Sequence, residues 1–223
     1  MKELKLLVCS DMHGSVEALD MLERAASSDD YDAVVMCGDF TTYGSLEYVN
    51  DFLRRFKIRV LAVPGNCDIP DTVAVLENAK ASVHNMRVLL GEWWIFGFGG
   101  GLPSSSQMPF EVDEDIIERS LRSIAAPDGI MVTHTPAYGM NDKGRSGHRL
   151  GSKSVMRIVT EFRPRLVLSG HVHESPGKEE RDGIVFVNPG PARSGHYAIV
   201  RAGEAIHVKL HRESHAGGQR KMF

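Results

Sequence analysis

Cysteine is scarce: Cys9, Cys37 and Cys67 are the only three in 223 residues. That number is too small and too odd for a disulfide framework, and the lack of clustered cysteines argues against a structural zinc site. Cys9 and Cys37 lie in apolar runs and read as small buried hydrophobes, whereas Cys67 sits among polar residues in a tight loop. Long apolar stretches are also missing, none approaching the roughly 20 residues of a membrane helix. Leu6-Leu7-Val8-Cys9 meets Asp11 too soon for a signal-peptide core, so a soluble, cytoplasmic chain is expected. Neither sign of charge dominates. With 26 Lys and Arg against 29 Asp and Glu, the formal net charge is -3, and no basic stripe or aromatic platform marks a nucleic-acid or membrane surface. Internal repeats and low-complexity segments are absent too. One domain over 1–211 is expected, with polar, glycine-containing 212–223 as a flexible tail.

What is present alternates between two periodicities. Continuous apolar runs at 4–9, 33–37 and 58–63 predict buried strands. Between them, Val16, Leu19, Leu22 and Ala26 recur at helical spacing behind Ser15 as N-cap, and 45–56 predicts a second helix. A short helix is expected after Asp71. The stretches 87–90 and 93–98 flank Gly91-Glu92 as a hairpin, in which Trp93 and Trp94 cannot share a face. Further on, helices are expected at 113–124 and 152–162, strands at 130–132, 166–168 and 184–187, and a half-exposed strand alternating Ile206, Val208 and Leu210. Parallel units followed by hairpins predict an α/β fold with two mixed sheets packed together and helices outside.

The chemistry collects after the strands. Asp11 and His13 follow the first, Asp39 the second and Asn66 the third; His134 follows the strand at 130, and His171 and His173 the strand at 166. Ligands of open parallel sheets bind beyond the carboxyl ends of strands. Any one of these histidines alone reads as a packed or surface residue. Five successive strand ends carrying ligand-type side chains read as a metal site. Imidazole with carboxylate or amide oxygen suits divalent transition ions, manganese first, with iron, zinc or nickel as alternatives. Seven ligands exceed the need of one ion, so two ions sharing a carboxylate are expected, the arrangement used for in-line displacement at phosphorus.

Asp11-Met12-His13, Gly38-Asp39, Gly65-Asn66-Cys67-Asp68, Thr133-His134 and Gly170-His171-Val172-His173 resemble, in kind and order, the signature blocks of calcineurin-like metallophosphoesterases. Thr133-His134-Thr135-Pro136, Gly151-Ser152-Lys153 and Asn188-Pro189-Gly190-Pro191 are similar to the small prokaryotic Icc-related branch. The resemblance implies a four-layer α/β/β/α sandwich. It implies one metal on Asp11, His13, Asp39 and His173 and a second on Asp39, Asn66, His134 and His171, with Asp39 bridging and a hydroxide between the ions attacking phosphorus.

Cys67 departs from that pattern, standing where many family members carry a histidine that contacts phosphate or protonates the leaving group. Removing a general acid costs about 10²–10⁴-fold. Either good leaving groups or a replacement acid is implied, and His148 is the candidate replacement. A small phosphoester substrate is expected, nucleotides among the candidates and diesters favoured over monoesters; the alternative is a catalytically weak metal-binding scaffold for protein partners. His84, His207, His211 and His215 read as surface residues and His196 as structural. Arg145 and Arg149 could meet an anionic substrate, though solvated charge is the default. The run Gly97-Phe98-Gly99-Gly100-Gly101 breaks the dinucleotide pattern at Leu102 and reads as a loop beside the cleft.

Overall fold

In the first strand, β1 (Leu4–Cys9), Leu4, Leu6 and Val8 face one layer while Leu7 and Cys9 face another, which explains its unbroken apolar run. The protein is described by a computed structural model over residues 2–213. The chain continues through α1 (Val16–Ser27), β2 (Ala33–Met36), α2 (Leu46–Arg55), β3 (Arg59–Ala62) and α3 (Thr72–Asn78). The hairpin β4 (Met86–Leu90) and β5 (Trp93–Phe98) follows, then α4 (Glu114–Ile124), β6 (Ile130–Thr133), α5 (Lys153–Phe162) and β7 (Leu166–Leu168). The remaining strands are β8 (Gly177–Arg181), β9 (Ile184–Asn188), β10 (His196–Ala202) and β11 (Ile206–Arg212). Three helices start as serine caps dictate: Ser15, Ser45 and Ser152 accept from the backbone N–H groups of Ala18, Glu47 and Val155.

One sheet has the order β11-β10-β1-β2-β3 and the other β4-β5-β6-β7-β9-β8. Both are mixed: β1, β2 and β3 run parallel with β10 antiparallel, and β5, β6, β7 and β9 run parallel between antiparallel edges β4 and β8. Leu6, Val35, Leu61, Ile95, Val132 and Leu168 fill the space between the sheets. Leu19, Leu22, Val49 and Phe52 pack α1 and α2 outside the first, and Ile117, Leu121, Val155 and Ile158 pack α4 and α5 outside the second. This is the expected four-layer α/β/β/α sandwich.

Two strands fall outside the sequence expectation. β8 is Gly-Lys-Glu-Glu-Arg, an exposed edge without apolar alternation, whereas β10 carries a legible run at Tyr197, Ala198, Ile199 and Val200 and pairs with β1. The hairpin is as expected, with Trp93 buried and Trp94 41% exposed. The strand at the end reaches Arg212, which pairs with His196, so residue 212 belongs to the sheet and not to the expected tail; the rest of that expected segment, with His215, lies outside the described residues. Two further expectations are corrected. His84 packs against Phe98 and Phe110 and accepts the Gly99 N–H at 2.9 Å, and His211 stacks on Tyr197, so neither is a plain surface residue. His207 is exposed and His196 half-buried.

Candidate metal centre

The loops after β1, β2 and β3 run side by side and meet those after β6 and β7 from the other sheet. Asp11, His13 and Gly14 donate backbone N–H groups to the carbonyls of Gly38, Asp39 and Phe40 at 3.0, 3.0 and 2.8 Å. Gly170 N donates to the His134 carbonyl at 3.0 Å between loops of one sheet, and His171 N donates to Asp11 Oδ2 at 3.1 Å, joining the two sheets across the site. Asp11, His13, Asp39 and His171 have φ of 57, 48, 59 and 68°. Non-glycine residues hold this left-handed conformation at a cost of about 1–3 kcal/mol each, a strain that concentrates where side chains must be aimed. Here it turns the chain sharply at each strand end and points the side chain inward.

All seven expected ligands come together in one row. His173 Nε2 is 3.0 Å from Asp11 Oδ1 and 3.4 Å from His13 Nε2, which in turn lies 3.6 Å from Asp39 Oδ2. On the other side of the same carboxylate, Asp39 Oδ1 is 3.5 Å from His134 Nε2. His134 Nε2 is 2.8 Å and His171 Nδ1 3.2 Å from Asn66 Oδ1. Two clusters therefore meet at Asp39, one oxygen facing each.

The remote ring nitrogens are held by partners that fix the orientation of the rings. His134 Nδ1 donates to the Cys37 carbonyl at 2.8 Å, so in the neutral ring Nε2 is the nitrogen with a lone pair, and His13 Nδ1 lies 2.8 Å from Thr42 Oγ1. Burial lowers the His13 and His171 imidazoles, the latter to about 4, so both stay neutral as metal ligation requires. Burial also acts on Asp11, but the hydrogen bond from His173 and the charges of His134 and His173 outweigh it and hold the carboxyl well below the usual range. In His134, burial is outweighed by the Asp39 and Asp11 carboxylates, and the imidazole is raised. Burial, then the charge of Asp39, pushes the Cys67 thiol up, which keeps it a thiol at neutral pH.

Three groups among the described residues can hold a metal ion: Asp11, His13 and His173; His13, Asp39 and Cys67; and Asp11, Asp39 and His134. The donors fit divalent transition ions, because buried carboxylates converge with imidazole nitrogens and an amide oxygen. Several supporting residues carry no assignment from sequence. Asp68 accepts from the N–H groups of Phe40, Thr41 and Gly65 at 3.2, 2.9 and 2.8 Å and from the Thr41 hydroxyl at 3.2 Å, clamping the loops after β2 and β3 together. Burial, then the Asp39 charge, raises its carboxyl to about 6. Its place in Gly65-Asn66-Cys67-Asp68 was the available signal. Ser10 donates to the Cys37 carbonyl at 3.2 Å, and Arg193 Nη2 lies 3.2 Å from His173 Nδ1.

A cleft of about 380 Å³ reaches the row at Asn66 and His171, with Leu102, Met108, Arg149 and Leu150 in its walls. Arg149 Nη1 is 2.6 Å from the buried carboxylate of Asp142, and its guanidinium lies over Tyr138. His148, the next residue back, is exposed, and so is Arg145, 3.7 Å from Glu174. The glycine run, expected as a loop beside the cleft, divides instead: Gly97 and Phe98 belong to β5, and Gly101 packs closely on Asn66, where a Cβ would lie 2.7 Å from that of Asn66.

The family model described as calcineurin-like phosphoesterase matches residues 4–175. An uncharacterized protein of Methanocaldococcus jannaschii is 28% identical over 200 residues, covering 85% of this chain and 89% of its own length. The structure of TT1561 of Thermus thermophilus superposes with a TM-score of 0.73 at 19% identity, covering 93% of this chain and 99% of that one. An archaeal phosphodiesterase superposes with a TM-score of 0.55 at 17% identity, covering 93% and 99% of the two chains.

Proposed function

Since the chain belongs to the calcineurin-like phosphoesterase family and is a metal-dependent hydrolase of phosphate esters, we propose that it cleaves small phosphodiesters at a dinuclear centre. The carrying observation is that Asp39 presents one carboxylate oxygen to each of two clusters. Asp11, His13, Asp39 and His173 would hold one ion and Asp39, Asn66, His134 and His171 the other, manganese being our first choice, ahead of iron, zinc and nickel. Bound there, such a pair supplies a water made acidic enough to ionise near neutral pH, and positive charge for the phosphoryl oxygens.

The chain's own residues set the rest. The Cys37 carbonyl and Thr42 hydroxyl keep His134 and His13 turned toward the row, and Asp68 fixes the distance between Asp39 and Asn66 by tying their loops. Arg149, braced by Asp142, is available to an anionic substrate entering past Leu150. Cys67 stays protonated and is a weak donor, which favours substrates whose leaving group departs without strong acid assistance. The similarity to an archaeal phosphodiesterase supports the diester preference. We place this activity on small cytoplasmic phosphoesters, nucleotides included, in a single unit over 1–211; none of the described helices is long and apolar enough to cross a membrane.

Matched aryl phosphate mono- and diesters, assayed with manganese, test this reading. The diester is expected to turn over about tenfold faster or more, and Asp39→Ala to lose at least about 10²-fold. A faster monoester would reject the diester preference, full rate in Asp39→Ala the shared carboxylate, and bound metal without hydrolysis of any ester would favour a scaffold.

A further inference from the structure

His84 is none of the candidate ligands, yet it anchors a backbone segment that braces one half of them. We propose that His84 is a positioning residue for the ion on Asn66, His134 and His171, and leaves the ion on Asp11, His13 and His173 in place. This inference rests on the dinuclear reading above.

The Gly99 N–H donates to His84 Nδ1 at 2.9 Å, so the ring presents its lone pair there. His84 is itself held by its own N–H on Ser82 Oγ at 3.1 Å and by the Phe98 and Phe110 rings. From Gly99 the buried backbone crosses the loop after β3. Gly100 N donates to the Pro64 carbonyl at 2.9 Å, and a Cβ on Gly99 would stand 2.2 Å from that same oxygen. Gly101 N donates to the Phe110 carbonyl at 3.0 Å, and Phe110 N to the Asn66 carbonyl at 3.1 Å. A Cβ on Gly101 would also lie 3.2 Å from Asn66 Cγ, so the segment backs the Asn66 side chain directly. A second ligand is reached as well, because the Gly100 carbonyl accepts the hydroxyl of Thr135 at 3.1 Å and Thr135 follows His134 in the chain.

The other half of the row has separate supports. His13 Nδ1 lies by Thr42 Oγ1, Asp11 N donates to the Gly38 carbonyl, and His173 Nδ1 faces Arg193. None of these groups belongs to 99–101. Removing the His84 acceptor strands a buried N–H, and the segment must shift to find it another partner. That shift moves two ligands of one ion and neither of the histidines peculiar to the other.

Manganese titration by calorimetry tests this, with the paramagnetic resonance of the coupled ion pair as a second readout. Wild type is expected to take two ions per chain, and Asn66→Ala marks which binding step belongs to the Asn66 side. His84→Phe keeps a ring against Phe98 and Phe110 but has no acceptor. It is expected to weaken the Asn66-side step about tenfold and the other step by less than about threefold, with loss of the coupled resonance at limiting manganese. His84→Asn brings an amide oxygen to the place of Nδ1 and is expected to keep both steps within about threefold, although the ring is gone. The reverse order, with the phenylalanine variant keeping both ions and the asparagine variant losing one, makes His84 a packing residue and overturns the proposal. Equal weakening of both steps in His84→Phe overturns it too. Should His84→Phe fail to fold, a folded His84→Asn chain still decides, since loss of its Asn66-side ion overturns the acceptor role and retention supports it. A wild-type chain that takes a single ion fails the dinuclear reading, and this inference with it.

Discussion

Replacing Gly65 by alanine removes no candidate ligand, yet it is expected to disable the site. A Cβ at this position would stand 2.0 Å from Asp39 Oδ1 and 2.2 Å from Asp39 N. Ordinary contacts to carbon begin at about 3.5 Å, so the loop after β2 must retreat by more than an ångström. It cannot do so freely, because Asp68 ties Phe40 and Thr41 to Gly65 and the Cys67 N–H holds Asp39 Oδ1 at 2.8 Å. Overpacking a tight site costs about 1–3 kcal/mol, and with backbone as the obstacle the upper figure applies. For a chain of this size that lowers the melting temperature by roughly 6–12 °C. Displacing the shared carboxylate by about 1 Å is expected to cost on the order of 10² in turnover, with a parallel loss of manganese affinity. Gly183→Ala provides the control: its φ is +78°, and an added Cβ meets no atom within 4 Å. It is expected to cost about 1 kcal/mol of stability and no activity. Calorimetric manganese titration, thermal melts and aryl diester turnover of both variants decide the matter. A Gly65→Ala protein that keeps wild-type affinity and rate would refute the close-approach argument.

Burial lowers the His84 imidazole to about 4, against about 6.5 in the unfolded chain. The stability gained by keeping it neutral is full above about pH 6.5 and drains away as pH falls toward 4, about 2–3 kcal/mol being lost by pH 4.5. Urea unfolding at pH 7.5 and 4.5 should show a smaller acid loss in His84→Gln than in wild type, and equal losses would exclude His84 as the source. If His148 protonates leaving groups, His148→Ala slows alkyl esters far more than nitrophenyl esters; equal effects on both would sink that role. Cys67→His introduces a donor and is expected to speed poor-leaving-group substrates about tenfold relative to nitrophenyl ones, short of the roughly 10²–10⁴ of a well-placed acid. An unchanged ratio would show that position 67 does not set leaving-group preference.

Much of the layering can be read from apolar runs, because a strand covered on both faces leaves no polar alternation. β1 and β2 are legible for that reason, and helices α1, α2 and α5 because serine caps precede their apolar stripes. β8 is illegible by the same logic: one ladder of backbone hydrogen bonds to β9 holds it at an edge, and its Lys, Glu and Arg side chains remain in water. The antiparallel β10 beside β1 shows a different limit. Its apolar run is visible, but only pairing across most of the chain length reveals that it sits next to the first strand.

The site divides along a similar line. Its ligands are legible because transition-metal chemistry restricts them to a few residue types and topology restricts them to strand ends. The residues that aim them are not, since any hydroxyl, carbonyl or carboxylate can do that work. Thr42 orients His13, the Cys37 carbonyl orients His134, and Asp68 spans two loops through four hydrogen bonds. The left-handed φ of Asp11, His13, Asp39 and His171 makes such support necessary, because a conformation costing about 1–3 kcal/mol persists only where neighbours over-determine it. His171 shows how: its N–H is held by Asp11 Oδ2 while its Nδ1 faces Asn66, so the first and third strands fix a turn that follows a strand of the other sheet. The strain and its restraints are thus parts of one device, in which each candidate ligand on one sheet is placed by groups from another strand end.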